Sequence, residues 1–182
     1  MRTFTAIAFP DSVKAALADL CKVNIPTARW VHPDDFHITL RFIGSADDAT
    51  LQRYRAALKT IKAAPFDLCI KGAGRFPENP SRPPTVLWVD IVKTPELLAL
   101  HAAVSDVLRA EGLPDDRYPD YNPHITLARL KTPRQLAEVD NFITQHTHFE
   151  LPPFRVQGVT LYESRRNAKG GSYTPVEVYP LM

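Results

Sequence analysis

The chain has 182 residues, of which 45% are hydrophobic and 23% are charged, and its formal net charge is +2. This length allows one well-developed core, so we expect a single domain over residues 1–182, and the composition excludes a disordered or fibrous protein. The small positive charge excludes a protein that holds long nucleic acid duplexes through many phosphates.

The sequence also predicts where the protein resides. No apolar run approaches the roughly 20 residues that cross a bilayer, and the N-terminal residues lack the apolar stretch of a signal peptide. Only Cys21 and Cys69 are present, without a C-x-x-C pair, which is typical of a reducing compartment and argues against a disulfide framework or a zinc knuckle. We therefore expect a cytoplasmic protein without a membrane partner.

The first half of the chain alternates between predicted strands and helices. Apolar periodicity and turn residues predict two helices, which begin at Asp11 and Asp47. Gly72, Gly74 and Pro77 predict a turn between the last two strands of this half. The predicted strands cover residues 3–9, 36–43, 66–71 and 85–92.

The second half begins with a helix that Thr94 caps and Pro95 opens. A strand over residues 124–130 follows, and the capping box at residues 132–135 predicts the start of a fourth helix. The C-terminal third is rich in β-prone residues and contains a basic loop at residues 165–171. Its predicted strands cover residues 148–150, 154–163 and 173–179.

The tetrapeptide His-Ile-Thr-Leu occurs twice, at residues 37–40 and 124–127, with the two histidines 87 positions apart. Each copy lies in a predicted strand that a helix follows, and each has a Pro-Asp pair shortly before it. Residues two apart on a strand share a face, so His37 and Thr39 point together, opposite to Ile38. His124 and Thr126 form the same arrangement in the second copy.

Two imidazoles and two hydroxyls that share a cleft are suited to phosphodiester hydrolysis. One neutral imidazole removes a proton from water, one imidazolium protonates the leaving oxygen, and the hydroxyls hold the non-bridging oxygens. No metal is required. A single H-x-T is usually an outward polar pair on an amphipathic strand, but two identical copies in matching settings favour the catalytic interpretation.

The paired motifs, the half-chain spacing and the strings H-I-T-L-R-F-I-G and H-I-T-L-x-R-L resemble the two-histidine phosphoesterase superfamily. Within it, the chain looks like the bacterial RNA 2′,3′-cyclic phosphodiesterases, formerly called 2′-5′ RNA ligases. The resemblance implies an α+β fold of two lobes related by a pseudo-twofold axis, with mostly antiparallel sheets and outer helices around a central cleft. Each lobe then carries one motif strand.

The resemblance also implies hydrolysis of a terminal 2′,3′-cyclic phosphate on RNA, or on a nucleotide, to a 2′-phosphate without a cofactor. His37 then donates a proton, His124 accepts one, and Thr39 and Thr126 bind phosphate. The family also uses an arginine after the second motif, which falls on Arg129. Because Arg129 is five positions after His124, a regular strand directs it away from the cleft, and only a bulge or a strand end reverses this.

Strand alternation suggests different substrate contacts near the first motif. Arg41 shares the face of His37 and Thr39, so it is either a phosphate-neutralising group or a solvated surface charge. Phe42 and Tyr173 are candidate stacking platforms for a base, although alternation places Phe42 on the core face.

Other interpretations remain open from the sequence. His146, His148 and Glu150 alternate and so have the spacing of a metal site, but His146 is predicted to lie at a helix end, where it complements the helix dipole. The alternative functions are an RNA-end binding or ligating protein and a phosphodiesterase for small cyclic nucleotides. An internal repeat makes a monomer sufficient to form the site.

Overall fold

The computed structural model describes residues 1–117, 119–131, 136–167 and 170–182, with the backbone alone at 166, 167 and 170. Strands and helices alternate along these residues much as the sequence predicts. The strands are β1 (Arg2–Ala8), β2 (Ala28–Trp30), β3 (His37–Ser45), β4 (Phe66–Leu68), β5 (Ile70–Phe76), β6 (Val86–Ile91), β7 (His124–Leu130), β8 (Phe154–Val156), β9 (Gly158–Asn167) and β10 (Gly170–Pro180). The helices are α1 (Asp11–Leu20), α2 (Asp48–Leu58), α3 (Pro95–Ala110) and α4 (Ala137–Gln145), and Pro33–Asp35 forms a short 3-10 helix.

Helices α2 and α3 begin where side chains can accept from free backbone N–H groups. The Asp47 carboxylate accepts from the N–H of Thr50 at 2.7 Å, and the Thr94 hydroxyl accepts from the N–H of Leu97 at 3.2 Å. Helix α4 begins at Ala137 without a side-chain cap from Leu136. The capping box predicted at residues 132–135 lies outside the described residues.

The strands form two antiparallel four-stranded sheets and one two-stranded sheet. Sheet A has the order β10-β9-β1-β3, sheet B has the order β2-β7-β6-β5, and β4 pairs with β8. Each four-stranded sheet therefore contains one His-Ile-Thr-Leu strand, β3 in sheet A and β7 in sheet B.

One hydrophobic core connects the two sheets. Ile38 and Leu40 of β3 belong to the same buried cluster as Ile125 and Leu127 of β7. The apolar faces of both motif strands point into this core, which leaves the opposite faces for polar residues. We propose that the chain is one domain with two lobes, because the lobes share this core.

The turn predicted at Gly72 and Gly74 is wrong, since both residues lie inside β5. A Cβ atom at Gly74 would come within 2.2 Å of the Trp88 ring, so only glycine leaves room for the indole there. Gly72 has a φ of +83° at an irregularity in the β5–β6 pairing. Glycine inside this sheet thus permits close packing and a kink.

The C-terminal region differs from the predicted strands in two places. The segment expected as a strand at residues 148–150 makes only an isolated bridge between Lys71 and Glu150. Strands β9 and β10 pair as a long antiparallel hairpin up to Asn167 and Gly170, so most of the predicted basic loop is strand.

Among the described residues, no helix combines the length and apolar character of a membrane span.

Candidate active site

The two motif histidines are held in the same way. Nδ1 of His37 lies 2.7 Å from the carbonyl oxygen of Asp35, and Nδ1 of His124 lies 2.8 Å from that of Asn122. A carbonyl oxygen only accepts, so each Nδ1 carries the hydrogen and donates it. Nε2 of each ring is therefore the atom that takes up or releases a proton.

Aromatic side chains enclose each imidazole and fix its orientation. The His37 ring has its centroid 4.9 Å from that of Phe4 and 5.0 Å from that of Tyr173, which it meets edge-on. The His124 ring meets Phe76 edge-on at 4.9 Å. These contacts remove water from the rings and leave each a single well-defined position.

Burial changes the proton affinity of both histidines. It lowers the pKa of His37 to about 4, and the positive charges of His124 and Arg129 contribute to this shift. Burial also lowers the pKa of His124, again with a contribution from Arg129. Both imidazoles are therefore neutral in the empty site at neutral pH, and the guanidinium of Arg129 acts on both.

A β-bulge in β3 changes which side chains face the cleft. Thr39 pairs with Ala6 of β1, but the next pair in register is Arg41 with Thr5, so Leu40 is an extra residue. The alternation of faces therefore reverses after Leu40.

Because of this reversal, the side chain of Arg41 does not face the cleft. The prediction that it shares the face of His37 is wrong: its side chain is buried, lies 2.5 Å from the Asp116 carboxylate and donates to the carbonyl oxygen of Pro114. It binds the segment before β7, which is an intramolecular role that strand alternation alone could not predict.

Phe42 lies on the cleft face of β3 instead of the core face that alternation predicts. It pairs with Phe4, whose ring contacts His37, and the Phe4 and Phe42 centroids are 6.1 Å apart. The core-face placement expected for Phe42 is therefore wrong, since 62% of the residue is exposed on the cleft side. Tyr173 is half-buried and contacts His37 directly, whereas Phe42 is connected to this histidine through the ring of Phe4.

The second motif strand contains a matching bulge. Trp88 of β6 pairs with Thr126, but its neighbour Leu87 pairs with Ala128, which leaves Leu127 as the extra residue. Val86, which shares a face with Trp88, pairs with Arg129. Arg129 is therefore exposed on the face of Thr126, and the difficulty raised by regular alternation does not apply.

The two motif threonines lie half-buried on the same faces as their histidines. Neither hydroxyl takes part in a hydrogen bond with the residues that the structure describes. As far as the described residues go, both hydroxyls can therefore donate to an anion held between the two strands. The geometry brings together five of the predicted side chains, namely His37, Thr39, His124, Thr126 and Arg129.

Sequence reasoning missed the aromatic residues that support the site from neighbouring strands, Phe4, Phe76 and Trp88. They come from β1, β5 and β6, and although Phe76 ends a G-x-F string that is typical of the family, the sequence assigned it no contact with a histidine. Their role follows from cross-strand contacts, which become known only once the strand pairing is known.

The alternative metal site does not form a ligand cluster. Nδ1 of His146 donates to the carbonyl oxygen of Phe142 at 2.7 Å at the end of α4, and Glu150 lies 3.7 Å from Lys71. Within residues 1–117, 119–131, 136–167 and 170–182, no group of three or more histidine, cysteine, aspartate or glutamate residues is placed to hold a metal ion.

Comparisons with known proteins identify the family to which this chain is similar. A family model described as the 2′-5′ RNA ligase superfamily matches residues 9–168. Among curated relatives named RNA 2′,3′-cyclic phosphodiesterase, that of Archaeoglobus fulgidus is 28% identical, with 98% of this chain and 99% of the relative covered. That of Thermus thermophilus is 32% identical, with 100% of this chain and 90% of the relative covered.

The fold is also similar to that of a solved structure. The crystal structure of TT0787 of Thermus thermophilus covers 100% of this chain and 98% of its own, with a TM-score of 0.79 and 28% sequence identity. This similarity and the antiparallel sheets confirm the α+β fold predicted from the resemblance.

Proposed function

The chain belongs to the 2′-5′ RNA ligase superfamily, and from this membership and the geometry of the cleft we propose that it hydrolyses RNA 2′,3′-cyclic phosphate ends to 2′-phosphates. The pair of matching histidines carries the proposal. In each of them the Nδ1–H donates a hydrogen bond to a backbone carbonyl oxygen, so Nε2 is the nitrogen that can exchange a proton with the substrate. The names of the relatives support the same substrate.

The cyclic phosphate in this proposal lies between β3 and β7. Nε2 of His124 removes a proton from a water molecule as the water oxygen attacks phosphorus. The P–O3′ bond breaks, and Nε2 of His37 gives its proton to O3′, which leaves the phosphate on the 2′ oxygen. The hydroxyls of Thr39 and Thr126 donate to the non-bridging oxygens, and Arg129 neutralises their charge.

The lowered pKa of His37 fits an acid role only when the anion is bound. An empty site at neutral pH has a neutral His37, and a phosphate placed beside the ring favours the charged imidazolium. Substrate binding therefore takes up one proton, which one of the two imidazoles then carries as the acid. The resemblance to the family assigns this proton to His37 and the role of base to His124, and one protonated and one neutral imidazole give a bell-shaped dependence of the rate on pH.

The test is incubation of the protein with an oligoribonucleotide that ends in a 2′,3′-cyclic phosphate, in the presence of a chelator. We expect a 2′-phosphate product, identified by its resistance to a phosphatase that removes 3′-phosphates only, and no loss of rate on chelation. A 3′-phosphate product would contradict the assignment of the leaving oxygen. Loss of turnover with the chelator would contradict metal-independent chemistry.

A further inference from the structure

Two arginines stand directly opposite each other on neighbouring strands of sheet B. Arg29 of β2 pairs with Arg129 of β7 in the antiparallel register, and both residues are exposed. Residues opposite each other in such a pair have Cβ atoms about 5 Å apart and project from the same face. Because Arg129 lies on the face of Thr126 and His124, Arg29 lies on that face too.

This pair lacks the carboxylates that accompany many other arginines of the chain. Arg41, Arg55, Arg109 and Arg155 each form an ion pair with an acidic side chain. In the described part of the chain, no acidic side chain pairs with Arg29 or Arg129. Like charges directly opposite on a sheet are destabilising, and an anion between them removes the repulsion.

The order of the strands sets the position of this pair relative to the histidines. β7 carries His124, Thr126 and Arg129, and β2 is the edge strand beside it. Arg129 acts electrostatically on both histidines, whereas Arg29 is one strand further out. A chain that has its terminal phosphate at the histidines and leaves the cleft across β2 passes Arg129 first and Arg29 next.

We propose that Arg29 is a binding residue for the phosphodiester of the nucleotide preceding the terminal cyclic phosphate, with Arg129 shared between this phosphate and the terminal one. This inference rests on the proposed function and adds a preference for oligoribonucleotides over mononucleotides. A mononucleotide has no second phosphate and gains nothing from Arg29. A guanidinium fork matches the two free oxygens of a phosphodiester.

The experiment compares Arg29→Ala with Arg53→Ala, which removes an equal charge from the exposed surface of α2. Binding of a 5′-labelled oligoribonucleotide with a 2′-phosphate end is measured by fluorescence anisotropy over a range of salt concentrations, and binding of adenosine 2′-monophosphate by competition. We expect Arg29→Ala to weaken oligonucleotide binding about tenfold and to reduce the salt slope by roughly 0.7, the value for one phosphate of a single strand. Mononucleotide binding stays unchanged.

Three results would overturn the inference: equal weakening for both ligands, an unchanged salt slope, or an equal effect of Arg53→Ala. The variant Arg29→Lys keeps the positive charge but loses the paired N–H donors of the guanidinium. We expect it to retain the salt slope and to bind the oligonucleotide more weakly. Because binding is measured without turnover, an Arg29-dependent affinity in a protein that fails to hydrolyse the cyclic end would reject the proposed function and leave this site standing.

Discussion

The phenol oxygen of Tyr121 donates a hydrogen bond to the main-chain carbonyl oxygen of Thr39 at 3.0 Å. Tyr121 lies three residues before His124, so this bond connects the segment that leads into β7 to the first motif strand. The Tyr121 ring also stacks on His101, with centroids 3.8 Å apart. The carbonyl that orients His124 belongs to the next residue, Asn122. One short segment therefore holds both half-sites at a fixed separation.

Replacement of Tyr121 by phenylalanine removes this bond and keeps the ring stacked. We expect a loss of about 1 kcal/mol in the free energy of unfolding, together with a several-fold drop in kcat, because the two half-sites become less precisely aligned. Tyr179→Phe is the matched control, since its phenol donates to Glu177 at 3.0 Å away from the cleft. A similar kcat loss in both variants would contradict a positioning role for Tyr121.

Strand alternation predicts that Arg41 faces the cleft and Arg129 faces away from it, but the structure shows the reverse. Two methionine variants test the structural role of Arg41 and the substrate-binding role of Arg129 separately. Arg41→Met leaves Asp116 without its partner and should cost about 3 kcal/mol of unfolding free energy, with little change in KM at temperatures where the variant is folded. Arg129→Met should leave stability almost unchanged and raise KM for the cyclic-phosphate substrate about tenfold. Denaturant unfolding and steady-state kinetics measure the two quantities. A KM effect confined to Arg41→Met would reverse the assignment.

Phe42 is an exposed aromatic side chain next to Phe4, which contacts His37, and we expect a base to stack on it. Phe42→Ala should weaken binding of adenosine 2′-monophosphate by about 1 to 3 kcal/mol, with no change for inorganic phosphate, which has no ring to stack. Leu98→Ala on α3 removes another exposed apolar side chain and serves as the control in titration calorimetry. Equal losses for nucleotide and phosphate would show that Phe42 supports the site without touching the base.

The lowered pKa of His37 makes the stability of the empty protein depend on pH. Its folded pKa of about 4 lies below the ordinary value of 6.5, so the unfolded chain binds more protons between these two values. Stability is therefore complete above about pH 6.5 and is lost as the pH falls toward 4, with about 2 kcal/mol lost between pH 7 and pH 5.

Denaturant unfolding of the wild type and of His37→Asn at pH 7 and pH 5 measures this contribution. The asparagine variant should lose about 2 kcal/mol less on acidification than the wild type does. His148→Asn, at an exposed position, should behave like the wild type. An identical pH slope in the wild type and in His37→Asn would mean that His37 titrates normally.

The sequence predicts the parts of the site that depend on local alternation. Each motif lies in a strand, and His37 with Thr39 and His124 with Thr126 share faces, because nothing irregular separates residues two apart. The prediction fails after Leu40 and Leu127, where one extra residue in each strand reverses the faces of Arg41, Phe42 and Arg129. A bulge depends on pairing with a distant strand, so the composition of the motif strand does not reveal it.

We propose that Nε2 of His37 and Nε2 of His124 act as one acid–base pair. Single-turnover rates on the cyclic-ended oligoribonucleotide should fall roughly 10²- to 10⁴-fold in His37→Ala and in His124→Ala. The double variant should be little slower than either single one, because the two groups act as a unit. His148→Ala should keep the wild-type rate. A single variant of the motif pair that retains the wild-type rate would contradict the claim.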